Sequence, residues 1–348
     1  MNELDEYIRQ GEPDTREKGY AWQTAIGLQA VDGLKTSDYL IQTAGRHIEG
    51  DITIDEVKTL IDSYYQSKSK HADPENRTEE ADKVSARIAE ILSERTFNFS
   101  PVEYISIHKR LFDGIYKFAG KIRDYNITKK EWVLKGQSVF YSSAENIRET
   151  LDYDFAQEKK FSYREINIDD AIRHIAGFIS GIWQIHAFGE GNTRTTAVFC
   201  IKYLHTFGFN ISNEVFSRYS WYFRNALVRA NYTNLTDGIV ASTHYLELFF
   251  RNLILDEQNE LKNRNLIIEK IAENSNSKCK ICTLDCTLEE MAVLNYISSN
   301  PSATQRVIAS HIGKSERTVK TITVNLVSKG YIERKNGKRN GFWEIKKH

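Results

Sequence analysis

Two apolar runs, residues 175–185 and 197–204, are separated by a polar loop that carries two glycines. Apolar stretches of this kind must be buried against other elements, so the polar corner between them is held inside a core. The corner reads His186-Ala187-Phe188-Gly189-Glu190-Gly191-Asn192-Thr193-Arg194. A chain built around such a pair is constrained to a helical core with a polar loop at its centre. The rest of the sequence agrees. Only four prolines occur, and helical periodicity recurs at 81–95, 101–112, 144–155, 168–185, 195–204, 217–228 and 242–272. Thr78, followed by Glu79 and Glu80, and Asn167 are read as helix caps. The fold class is therefore mainly α.

The loop residues point to phosphate chemistry. Gly189 and Gly191 let the backbone approach a ligand closely and adopt positive φ. A helix starting near Asn192 offers unpaired N–H groups and the positive end of its dipole to an anion. Asn192 and Arg194 add donors suited to phosphate oxygens. Glu190 is a hard oxygen ligand of the kind a phosphate-bridging Mg²⁺ needs. His186 can accept a proton near neutral pH and activate a hydroxyl. The loop holds no Ser or Cys nucleophile, so phosphoryl or nucleotidyl transfer suits it better than acyl transfer.

These residues resemble the motif of the Fic family, His-Pro-Phe-x-(Asp/Glu)-Gly-Asn-Gly-Arg-x-x-Arg, over 186–197. The resemblance extends to residues 111–123, similar to an upstream signature, and to 125–141, similar to the family's β-hairpin flap; it covers roughly residues 40–250. It implies that His186 is the general base toward a Ser, Thr or Tyr hydroxyl of a protein target. It implies that Glu190 holds Mg²⁺, and that Gly189, Gly191, Asn192, Thr193 and Arg194 bind the nucleotide phosphates. The implied reaction moves AMP from ATP to the hydroxyl. Three positions depart from the motif. Ala187 replaces Pro, Thr193 replaces the second Gly, and Ala197 replaces the second Arg. Loss of that charged contact costs about 1.5–3 kcal/mol, enough to slow transfer or change the donor.

Further parts of the chain fit the same resemblance. Gly45 to Gly50 resemble the family's inhibitory motif, with Glu49 as the inhibitory glutamate, here meeting Arg194 because position 197 is Ala. The alternative is that Glu49-Gly50 simply ends a helix. In the flap, Ile127, Trp132, Val139 and Phe140 would dock a target segment along a strand edge. Tyr222 and Asn231 are the candidate adenine contacts, against the alternative that they belong to a core stripe.

After a polar segment at 273–286 the pattern changes. Helices are expected at 287–298, 303–312 and 315–328, then two short strands around Asn336-Gly337, a tight-turn signal. This resembles a winged helix-turn-helix. Residues 314–348 carry ten Lys/Arg against three Asp/Glu. Arg317, Lys320 and Thr321 on the third helix, with Lys338 and Arg339 on the wing, are the DNA candidates. Cys279, Cys282 and Cys286 are spaced as three metal ligands could be, but no fourth lies nearby.

The expected organisation is an N-terminal helical region at 1–95, a Fic domain with its β-hairpin flap at 96–272, a linker at 273–286 and a winged helix at 287–348. The formal net charge is zero and no apolar run reaches membrane length, so a cytoplasmic protein is expected. The expected partners are nucleotide, a protein substrate and DNA, with homodimerisation left open. The expected function is Mg²⁺- and ATP-dependent nucleotidyl transfer restrained by Glu49. The alternative is an impaired nucleotide-sensing Fic fold that regulates transcription.

Overall fold

A computed structural model describes residues 4–68, 77–209, 214–268, 286–335 and 341–346. Among them lie fourteen helices and one two-stranded sheet. The N-terminal layer comprises α1 (Asp5–Gln10), α2 (Pro13–Gly27), α3 (Asp38–Glu49), α4 (Ile54–Lys68) and α5 (Thr78–Ser93). The central bundle comprises α6 (Pro101–Phe112), α7 (Ile147–Lys160), α8 (Ile168–Ile185), α9 (Asn192–Thr206), α10 (Val215–Ala230) and α11 (His244–Leu255). The C-terminal unit is α12 (Leu288–Ser299), α13 (Gln305–Ile312), α14 (Glu316–Ser328), β1 (Ile332–Lys335) and β2 (Phe342–Ile345).

The helix starts follow local chemistry. Ser100 Oγ accepts the Glu103 N–H at 3.1 Å ahead of Pro101, whose fixed φ suits a first turn. Asn167 Oδ1 accepts the Asp170 N–H at 2.8 Å, as its position predicts. Thr78 differs: it lies inside α5, and Arg77 precedes the helix without a side-chain cap. The run expected at 242–272 is also shorter. The helix stops at Leu255, where Asp256 turns left-handed at φ 53°. Asn252 then takes over the chain, donating to Asn259 O and accepting the Asn259 N–H. Those bonds favour a fold-back over another helical turn.

The centre of the molecule is α9. Every residue from Asn192 to Leu204 is buried. A helix enclosed on all faces must satisfy its polar side chains internally. Thr195 Oγ1 bonds Gly191 O, Thr196 Oγ1 pairs with Tyr104 Oη, and the Lys202 ammonium donates to Ile91 O and Glu94 O. Its Phe199 and Tyr203 join Phe99, Tyr104, Phe155 and Phe188 in a cluster of tilted, edge-on and stacked rings at centroid separations of 4.6–6.4 Å. Each such ring contributes about 1.5–3 kcal/mol of burial, which fixes where the loop before α9 sits.

The expected flap hairpin at 125–141 is not a β ladder. Val133 and Leu134 are fully buried within a short 3-10 turn, Trp132–Leu134. Two adjacent inward side chains break the period-two alternation a strand requires. The segment is instead a loop closed by Glu131 N–H to Gln137 O at 2.9 Å, with Lys135 and Gly136 at positive φ. Paired strands occur, among the described residues, at β1 and β2, with Ile332 opposite Ile345 and Arg334 opposite Trp343.

The C-terminal unit matches its expected elements. Thr287 closes a capping box with Glu290, and Thr304 and Ser315 cap α13 and α14. Val319, Ile322 and Leu326 face inward from α14. The unit packs on the central bundle. Asn295 donates to Ile254 O at 2.6 Å, and Gly208 lies so close to Ile312 that a Cβ there would come within 2.7 Å. The wing turn, with Lys338 and Arg339, and Cys279 and Cys282 lie outside the described residues. Cys286 is buried. No group of three or more His, Cys, Asp or Glu among the described residues could hold a metal. No described helix is long and apolar enough to cross a membrane.

Candidate functional site

His186 ends α8 in a left-handed conformation, φ 50°. Non-glycine residues take that region rarely, and strain there accompanies function more often than chance. The ring is buried, with Tyr141 tilted over it at 4.3 Å and Trp183 edge-on at 5.5 Å. Neither Nδ1 nor Nε2 has a hydrogen-bond partner among the described residues. Burial first, then the charges of Lys129, Arg123 and Arg224, pushes the imidazole well below its ordinary value. The ring is therefore neutral at pH 7 and able to accept a proton.

Two residues that sequence reasoning left without a role hold the loop. Arg123 donates from Nε to His186 O at 2.8 Å, from Nη1 to Tyr125 O at 2.6 Å, and from Nη2 to Ser142 O and Ile185 O. One guanidinium thus ties both ends of the flap to the base. His108 is fully buried and stacked on Phe188 at 3.7 Å. It accepts the Gly120 N–H at Nδ1 (2.9 Å), so Nε2 carries the proton donated to Glu190 O at 3.0 Å. Burial, its main perturbation, pushes it down to about 4, which keeps that tautomer neutral. Both residues lie within or beside 111–123, the stretch whose pattern was legible although their contacts were not.

The loop itself is closed by Asn192. Its amide donates to Phe188 O at 2.8 Å and accepts the Phe188 N–H at 3.0 Å. That side chain is a clasp and is not aimed at an anion. Thr193 Oγ1 accepts from the Trp183 indole at 3.0 Å. Gly191 has φ 78° and lies against the Phe112 ring. Glu190 is exposed at the mouth, 3.3 Å from the Lys129 ammonium. A single reachable carboxylate fits Mg²⁺, which is commonly held by one or two carboxylates plus substrate phosphates.

Arg194 is fully buried and points away from the mouth. Nη1 donates to Gln29 Oε1 at 3.0 Å and Nη2 to Glu80 Oε1 at 2.6 Å. Nε makes a close charge contact, 2.8 Å from Asp32 Oδ2, without hydrogen-bond geometry. Burial would raise the Glu80 carboxyl, but Arg77 and Arg194 hold it below the usual carboxylate range. The guanidinium expected to meet phosphate thus cross-links α9 to the N-terminal layer.

Residues 98–204 match the model of the Fic/DOC family. The chain carries a Fic/DOC domain. Residues 290–333 match a model described as winged helix-turn-helix DNA-binding. No curated protein matches the chain.

In this Fic domain several expected contacts fall elsewhere. Glu49 is exposed and accepts from Tyr7 Oη at 2.5 Å; it does not meet Arg194, whose acids are Glu80 and Asp32. Gly50 ends α3 at φ 86°, as the alternative reading had it. Tyr222 is a core residue, 1% exposed, and Asn231 spends its amide on Ser180 O and Leu227 O. Val139 is buried and anchors the flap, whereas Trp132 and Phe140 are exposed at 52% and 86% and Ile127 is half-buried. An open groove of about 590 Å³ runs between the flap and residues 232–235, lined by Ile127, Phe140, Tyr141, Tyr232 and Leu235.

On the winged helix, Arg317, Lys320, Thr321 and Val324 form an exposed stripe along α14. Lys314 and Lys329 are paired with Glu289 and Glu290, and Lys335 and Lys346 with Glu333 and Glu344. Arg317 and Lys320 have no ion-pair partner among the described residues.

Proposed function

We propose that this Fic domain is a nucleotidyltransferase that moves AMP, or a related phosphate-containing group, from a nucleotide to a protein hydroxyl. The observation that carries the reading is the neutral, buried His186 whose two ring nitrogens lack partners. Buried polar groups are paired in folded proteins, and an orphaned pair on a strained residue needs an explanation. A target Ser, Thr or Tyr hydroxyl would give its proton to His186 as its oxygen attacks the α-phosphorus. The bond from that phosphorus to the leaving oxygen breaks and pyrophosphate departs. Tyr141 covers the imidazole, so the flap must move for the hydroxyl to enter. Phe140 and Leu235, exposed on either side of the groove, would seat the target segment. The phosphates would lie at the α9 N-terminus, and Glu190 is the group that would hold Mg²⁺, whose charge would offset theirs.

Intact-protein mass spectrometry after incubation with each nucleoside triphosphate and Mg²⁺ tests this. Added mass of one nucleotidyl group in the wild type, reduced about 10²–10⁴-fold in rate in His186→Ala, is the expected result. No transfer to the chain or to added lysate proteins, with nucleotide still bound, counts against it.

A second reading is favoured by Arg194 and Ala197. With one motif arginine locked in the core and the other replaced, the domain would bind nucleotide and transmit its presence to a DNA-bound winged helix. The unpaired Arg317 and Lys320 support DNA contact. Gel shifts on mixed duplex DNA at several salt concentrations are expected to show binding that weakens with salt. Replacing Arg317 and Lys320 together by Ala is expected to lower the salt slope by about 2. An unchanged slope would move the DNA face away from α14.

A further inference from the structure

We infer that Lys129 is a phosphate-binding residue of the Fic site, supplying from the flap the charge that Ala197 does not supply from α9. This rests on the nucleotide reading above and extends it to the recognition of a di- or triphosphate tail. Among the described residues, Arg123, Arg224 and Arg194 are cations of this region already committed to other groups. Arg123 spends its guanidinium on the carbonyls of Tyr125, Ser142, Ile185 and His186. Arg224 lies 2.7 Å from the buried Glu131 carboxylate and over the Trp221 ring. Arg194 is enclosed between Asp32 and Glu80.

Lys129 is different. Its ammonium meets one partner, Glu190 Oε2 at 3.3 Å, and Glu190 is half-exposed at the mouth of the loop. Exposed pairs of this kind are weakly held and exchange readily. After burial, the Lys129 charge does most to lower the His186 imidazole, ahead of Arg123 and Arg224. It therefore acts on both ends of the loop, holding the Glu190 carboxylate and bearing on the His186 imidazole. Its backbone is fixed by the Lys129 N–H to Ser138 Oγ bond at 3.3 Å, so the flap delivers the side chain to that place. A flexible four-carbon stem carrying a compact charge is a common phosphate binder. With Glu190 holding Mg²⁺, the Lys129 ammonium would be free to pair with phosphate oxygens.

Calorimetric titration of the full chain with ATP, ADP and AMP at saturating Mg²⁺ tests the assignment. Lys129→Ala is expected to weaken ATP and ADP by about 10- to 100-fold and AMP by much less. Lys129→Arg should retain most of the affinity, and Lys130→Ala, an exposed neighbour, should match the wild type. Equal loss for all three nucleotides, or ATP binding unchanged in Lys129→Ala, overturns the assignment. Failure of the wild type to bind any of them overturns the nucleotide reading and this inference with it.

Discussion

Arg194→Ala is expected to destabilise the protein by about 3–5 kcal/mol in denaturant unfolding, the range for removing one partner of a buried charge cluster. The guanidinium is wholly buried and serves Gln29, Asp32 and Glu80 at once. Its loss leaves the Glu80 carboxylate with Arg77 and Tyr116, and leaves Asp32 without its charge partner. It also removes the guanidinium stacked 4.8 Å from the Phe112 ring, and with it support for the site loop. A phosphate ligand at the mouth would behave otherwise: surface removal changes stability by less than about 0.5 kcal/mol and affects nucleotide affinity alone. A variant with unaltered unfolding but weakened ATP binding would contradict the cross-link. Arg194→Lys is expected to recover little, because an ammonium cannot span three acceptors in the guanidinium fork.

That residue marks the boundary of what the sequence discloses. The loop 186–194 announces its family because residue types and spacing are local properties. The helices announce themselves through periodicity, and α6 and α8 begin and end where the pattern says. The partners of Arg194 lie 114 and 165 positions away at Glu80 and Gln29. No spacing rule connects them, so a guanidinium in a phosphate-like context is read as a ligand when it is a strut. The same holds for Asn192, whose amide donates to Phe188 O, and for Thr193, whose hydroxyl oxygen accepts the Trp183 indole N–H. The flap misleads for another reason. Its β-branched and aromatic residues favour a strand, but burial of adjacent Val133 and Leu134 outweighs propensity, as tertiary context commonly does. Glu49 resembles a brake in its local sequence, while its direction is set by the distant Tyr7.

Gly191→Ala is expected to cost about 2–5 kcal/mol and to abolish nucleotide binding together with any transfer. Two penalties combine. At φ 78° the left-handed backbone costs an L-residue about 1–2 kcal/mol. The new Cβ would then lie 2.3 and 2.4 Å from two atoms of the Phe112 ring, and overpacking of that kind costs about 1–3 kcal/mol. Relief by moving the loop would carry the α9 N-terminus and the Glu190 carbonyl held by His108 out of place. Gly189→Ala is the control. Its backbone is not left-handed, and its tightest neighbour, the Tyr125 hydroxyl at 2.6 Å, belongs to an exposed side chain that can swing away. Adding Phe112→Leu to Gly191→Ala separates the two penalties. The smaller side chain should recover the packing share and leave the backbone share. Full recovery would mean that the ring alone demands glycine at 191, and no recovery would place the whole cost in the backbone.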